Sequence, residues 1–107
     1  MTTIAYDTLA ALTPTDTVEA TLYTVGTGKQ IVAQLTVALE TTTSQSYRVG
    51  VLKNGAGSVV YRAYDVTLGE QVIPDTYLIV MGEGDQLKVT SGSANNVSFT
   101  LEGAEVS

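Results

Sequence analysis

The clearest signal in the chain is a two-residue period. Between Gln30 and Glu40, Ile31, Ala33, Leu35, Val37 and Leu39 fall on one side, and Gln30, Gln34, Thr36 and Glu40 on the other. Val32 and Ala38 interrupt the polar side. Such alternation is that of a half-buried β-strand, whose successive side chains point to opposite faces of a sheet. Strand-forming Thr, Val, Ile and Tyr dominate the chain, and the pattern predicts strands at about 17–25, 30–40, 47–53, 58–62, 64–68, 77–81, 86–91 and 96–102. Gly26-Thr27-Gly28, Asn54-Gly55-Ala56-Gly57 and Gly82-Glu83-Gly84-Asp85 punctuate them, and Asn54-Gly55 is a hairpin signal. A further turn is expected over 41–46. Segments of this length and spacing predict an all-β protein, an antiparallel sandwich or a barrel.

Two stretches are ambiguous. Residues 4–12 mix Ala, Leu and Tyr before Pro14, which fits a short strand, a helical turn or an extended arm. Residues 63–75 contain Gly69 and Pro74 and room for one short strand. No long helix, repeat or linker is visible. The organisation expected is an N-terminal arm or short strand over 1–13 and a single β-sandwich domain over 14–107. The positions expected to face inward are Val18, Leu22, Ile31, Ala33, Leu35, Val37, Leu39, Val49, Val51, Val59, Tyr61, Leu78, Val80, Leu87, Val89, Val97, Phe99 and Leu101.

Composition narrows the chemistry. At 107 residues the chain is one domain, with 44% hydrophobic residues, which excludes ordinary intrinsic disorder. Charged residues make up only 15%, so a neutral, hydroxyl-rich surface is expected. There is no Cys, His or Trp. Disulfides, thiol nucleophiles and His-based catalysis are therefore excluded. The formal net charge of −6 disfavours nucleic acid and anionic membranes as partners. The start of the chain lacks the basic and apolar regions of a signal peptide, and the apolar run Leu78 to Met81 is far short of a membrane span.

Each chemical motif has a blander reading that outweighs it. Gly26-Thr27-Gly28-Lys29 lacks the earlier Gly and the following Ser or Thr of a phosphate loop, with Tyr23 and Gln30 in those places. Glu83, Asp85, Glu102 and Glu105 are the best carboxylate group, yet they match no calcium-loop spacing and no aromatic platform accompanies them. They fit solvated charges that keep β edges apart. No enzyme activity, cofactor or metal is expected. So small a domain without a staple is marginal alone, which favours oligomerisation. Its six Tyr residues suit an interface, although Tyr and Thr are also simply good strand residues.

Three stretches resemble small bacteriophage virion proteins. They are Thr21-Leu22-Tyr23-Thr24-Val25-Gly26-Thr27-Gly28-Lys29, Gly82-Glu83-Gly84-Asp85-Gln86-Leu87-Lys88-Val89, and Val97-Ser98-Phe99-Thr100-Leu101-Glu102-Gly103-Ala104-Glu105-Val106. Tyr64-Asp65-Val66-Thr67-Leu68 is a fainter match. The usual Pro of the first turn is replaced by Gly26 or Thr27, and Glu40-Thr41 stands where an Asn often ends the second strand. The resemblance implies an antiparallel β-sandwich of jelly-roll type with about eight strands. It implies a capsid decoration, or cement, protein that bridges neighbouring subunits of the major capsid protein. A homotrimer on the virion surface, made in the bacterial host cytoplasm, would fit. Ile4, Tyr6 and Leu9 of the arm, with Tyr23, Tyr47, Tyr64 and Tyr77, are the expected interface residues. A tail, neck or fibre component, with host recognition among its roles, is the alternative. A carbohydrate-binding module outside any virus is a third reading, weakened by the lack of Trp.

Overall fold

The computed structural model describes residues 4–41, 43–69 and 74–107. Parts of the expected arm (1–3), of the turn over 41–46 (residue 42) and of the ambiguous 63–75 stretch (70–73) lie outside them. The described residues form β1 (Ile4–Leu12), β2 (Ala20–Thr24), β3 (Gln30–Leu39), β4 (Gln45–Leu52), β5 (Val60–Leu68), β6 (Asp75–Met81), β7 (Gln86–Ser91) and β8 (Val97–Val106).

The strands make two four-stranded antiparallel sheets. Sheet A runs β1-β8-β3-β6 and sheet B runs β2-β7-β4-β5. The pairs β1·β8, β2·β7, β3·β6 and β4·β5 are nested, and β3·β8 and β4·β7 join them side by side. One long hairpin has thus been wrapped into two layers, which is the jelly-roll sandwich.

The core lies between the layers. Ile31, Leu35, Val37, Val49, Ile79, Leu87, Val97, Phe99 and Leu101 are fully buried there. β3 is the simplest case: its inward residues alternate with exposed or half-buried ones over nearly its whole length. Tyr47 is the largest buried side chain, with edge-on contacts to Phe99 and Tyr77. Its hydroxyl donates to Asp75 Oδ2 at 2.6 Å and is hydrogen-bonded to the Tyr77 hydroxyl. A buried phenol needs such a partner, because an unpaired hydroxyl in the core costs about 1–3 kcal/mol.

Several expectations are corrected. In β6 the inward residues are Ile79 and Met81, while Leu78 and Val80 are 64% and 63% exposed. Every residue from Leu78 to Met81 is apolar, so no alternation marked the phase. Val18 and Tyr61 are also exposed rather than inward. The strands expected at 58–62 and 64–68 are one strand, β5, carrying irregularities opposite β4. Residues 4–12, whose conformation was open, form the edge strand β1, paired with β8.

Candidate functional site

The carboxylates that looked like a group are dispersed, and each has a separate environment. Asp85 is almost fully buried where the β6–β7 turn meets two others. It accepts hydrogen bonds from Asn54 N at 2.9 Å, Gly82 N at 3.0 Å and Lys53 Nζ at 2.5 Å. Burial alone would raise its pKa. The Lys53 ammonium and the two backbone N–H groups outweigh that and hold it below the usual Asp value. Backbone bonds from Val25 N to Asp85 O and from Gly84 N to Val25 O bring in the β2–β3 turn. Gly84, at φ 78°, completes the knot: a Cβ there would lie 2.5 Å from the Asn54 side chain.

Glu105 accepts from the Tyr23 hydroxyl at 2.6 Å and from Lys29 Nζ at 3.1 Å. These two donors lower its pKa. Burial, then the hydrogen bond and charge of Glu105, push Tyr23 up to about 12. Glu83 caps Gly28 N, and Glu102 projects from the exposed face of sheet A. Among the described residues, no three acidic side chains gather in a way that could hold a metal ion.

The expected interface residues divide by environment. Tyr47 is in the core and unavailable to a partner. Tyr77 and Tyr23 are half-buried and hydrogen-bonded within the fold. Leu9 packs against the core. Ile4, Tyr6 and Tyr64 are 53%, 79% and 57% exposed.

The register places Tyr6 in a larger feature. Tyr6 pairs with Ala104, Ala104 with Val32, and Val32 with Val80. One apolar row therefore crosses all four strands on the outer face of sheet A. Leu78 lies one outward step along β6, and Ile4 one outward step along β1. Sequence reasoning missed Val32, Leu78, Val80 and Ala104. Its only clues were the break at Val32 in an otherwise alternating strand and the unbroken apolar run in β6.

Sheet B presents a different outer face. Gly50 lies beneath Val59 and Tyr61, and a Cβ on it would come 2.3 Å from Val59 Cγ1. Tyr61 reaches Glu19 Oε2 at 2.9 Å and meets the Tyr64 ring edge-on, with centroids 5.0 Å apart. Arg48 covers Tyr64 at 4.0 Å and forks onto Asp65 with bonds of 2.7 and 3.2 Å. Tyr64 and Asp65 together oppose Arg48 in a bulge, with Asp65 at φ 51°. A polar recess of about 200 Å³ beside this pair is lined by Thr17, Ser46, Thr90 and Ser91.

The sheet edges are blunted. β1 and β2 each carry a register shift, and β2 has only five residues. β5 carries the Asp65 bulge, and Arg62 Nη1 of β5 takes the outward carbonyl of Leu78 on β6 at 3.2 Å. Short strands, bulges and basic side chains are the usual means of preventing edge-to-edge pairing.

This geometry defines a class, a two-sheet jelly-roll sandwich with an exposed apolar row across the outer face of one sheet. No protein-family model matches the chain, and no curated protein does. Among solved structures it is similar to a chain of Bacillus endospore appendages, described as a novel family of disulfide-linked pili. The match covers 99% of this chain and 88% of that one, with a TM-score of 0.54 and 16% identity. At that identity the likeness is one of fold.

Proposed function

We propose that the chain is a non-catalytic structural subunit of a repeated protein assembly, which associates with further copies of itself. The observation that carries this reading is the apolar row Tyr6–Ala104–Val32–Val80 with Leu78 and Ile4 beside it. Scattered exposed apolar residues are ordinary, but a contiguous set on one face marks an interaction surface. Work of this kind is mechanical: apolar area buried at each contact, multiplied by repetition.

Two assemblies fit. The sequence resemblance supports decoration of a bacteriophage head, with copies bridging major capsid subunits, or a place in a tail, neck or fibre. The appendage-like fold favours an extracellular filament. The chain has no Cys, so a filament of it would be held without the disulfides of its structural neighbour.

Native mass spectrometry over a concentration series, with electron microscopy of the same samples, tests the reading. Closed trimers would favour head decoration, and extended polymers a filament. A monomer at every concentration, unchanged by replacing Leu78 and Val80 with Lys, would overturn self-association.

A further inference from the structure

The strands of sheet A carry Asp7, Asp75, Glu102 and Glu105 and no Lys or Arg. The strands of sheet B carry Arg48, Arg62 and Lys88 against the single acid Asp65. Charge is therefore segregated between the two layers. Two of these groups stand at corresponding central places. Glu102 lies on β8, an inner strand of sheet A, paired with Gln34 and Thr8 on the outer face. Lys88 lies on β7, an inner strand of sheet B, paired with Gly50 and Thr21. The ion pairs among the described residues are Lys29–Glu105, Arg48–Asp65 and Lys53–Asp85, which leave Glu102 and Lys88 without one.

Exposed apolar residues follow the same division. On the outer faces, Ile4, Tyr6, Val32, Leu78 and Val80 belong to sheet A, and Tyr61 and Tyr64 to sheet B, with Val18 just before β2; Val60, also exposed, pairs with Val51 on the inward side at the edge of sheet B. Each outer face thus pairs apolar area with a central charge, and the central charges are opposite. Pairing through the edges is hindered by the bulges of β1, β2 and β5 and by Arg62 on the Leu78 carbonyl.

We infer that copies of this chain stack head to tail, the outer face of sheet A on the outer face of sheet B of the next copy, with Glu102 against Lys88. This rests on the self-association reading above and specifies its geometry. Packing A against A would bring two Glu102 side chains towards each other near the twofold axis, with no Lys or Arg on the strands of either face to relieve them. Packing A against B has no such conflict. A contact between unlike faces does not close on itself, so it propagates into a ring or an open polymer. Strand spacing of about 4.8 Å and rise of about 3.3 Å per residue give each face a footprint of only about 400 Å². Counting both partners, the contact lies at the small end of specific interfaces. Growth must then depend strongly on concentration and, through the charge pair, on salt.

A mixing experiment tests this on the full chain. Glu102→Lys and Lys88→Glu are prepared separately and checked for native circular dichroism. Sedimentation velocity is run on each alone and on an equimolar mixture at low salt. Each variant alone should remain small, because its altered face meets a like charge. The mixture should regain the polymer size of the unaltered protein, since one altered A face then meets one altered B face. Two variants that polymerise normally alone, or a mixture that stays as small as its components, would overturn the stacking. Closed dimers of the unaltered chain, which put like faces in contact, would overturn it too, while leaving self-association standing. Only a chain monomeric throughout would remove both.

Discussion

Asp85 accepts the backbone N–H of Asn54 across 2.9 Å, and this bond fastens the β6–β7 turn to the β4–β5 turn. With Gly82 N and Lys53 Nζ on the same carboxylate, one buried charge holds the end of the sandwich together. Asp85→Ala leaves buried N–H groups unpaired at about 1–3 kcal/mol each. Some of that is recovered by water, and Lys53 is exposed enough to be resolvated. The expected loss is about 2–4 kcal/mol, read from urea unfolding at neutral pH. Glu83→Gln, which alters only an exposed cap on Gly28, should change stability by less than about 0.5 kcal/mol.

Asp85 also sets an acid limit. Its pKa is held below the Asp reference of 3.8 in the fold. A depressed carboxylate contributes stability that is present above its unfolded pKa and lost as pH falls through the folded one. Stability should therefore be flat from neutral pH to about 5 and decline below about 4. Glu105 and Asp65, also held low by their partners, steepen the same limb. The stability gap between the unaltered chain and Asp85→Asn should narrow as pH drops from 5 to 3. A constant gap would show that the ionised carboxylate is not what matters.

Where one face of a strand is apolar and the other polar, the sequence is legible. β3 shows it, and so does β8 at Val97, Phe99 and Leu101. β6 was not legible in phase, because Leu78, Ile79, Val80 and Met81 satisfy either face and only the partner strand decides. The exposed apolar pair that results is part of the candidate surface, so the feature that obscured the reading was also the informative one. β1 was obscure because an exposed edge strand needs little alternation. The role of Asp85 depends on turns distant in sequence meeting in space, which no local pattern reports. Tyr47 and Tyr64 both follow strand-like neighbours, yet Tyr47 is in phase with inward Val49 on β4 and lies in the core, while Tyr64 follows inward Ala63 on β5 and faces out.

The phase of β6 can be tested by stability. Ile79 is fully buried and Val80 is 63% exposed. Ile79→Ala removes packed methylenes and leaves a cavity, at a cost of about 2–5 kcal/mol. Val80→Ala touches only the surface and should cost less than about 0.5 kcal/mol. Thermal melts of the two variants, below the concentration at which the chain associates, separate the outcomes. A reversed order, with Val80→Ala the costlier, would mean that the strand has its other face inward.

The Tyr23–Glu105 contact predicts an alkaline limb with the opposite sign. Burial, followed by the carboxylate, pushes the phenol up to about 12 from an ordinary 10.0. The folded state thus favours the protonated phenol. The associated stability is complete below about pH 10 and is lost as pH rises from there through about 12. Tyr47, whose pKa is raised by burial and by the Asp75 and Tyr77 hydrogen bonds, adds to the same decline. Tyr23→Phe removes one of the two phenols and a hydrogen bond to a charged acceptor. It should cost about 1.5–3 kcal/mol at pH 7 and make the alkaline decline shallower without abolishing it. Urea midpoints at pH 7, 10 and 11 give the slopes directly. An alkaline limb as steep in the variant as in the unaltered chain would mean that Tyr23 ionises as freely in the fold as in the unfolded chain.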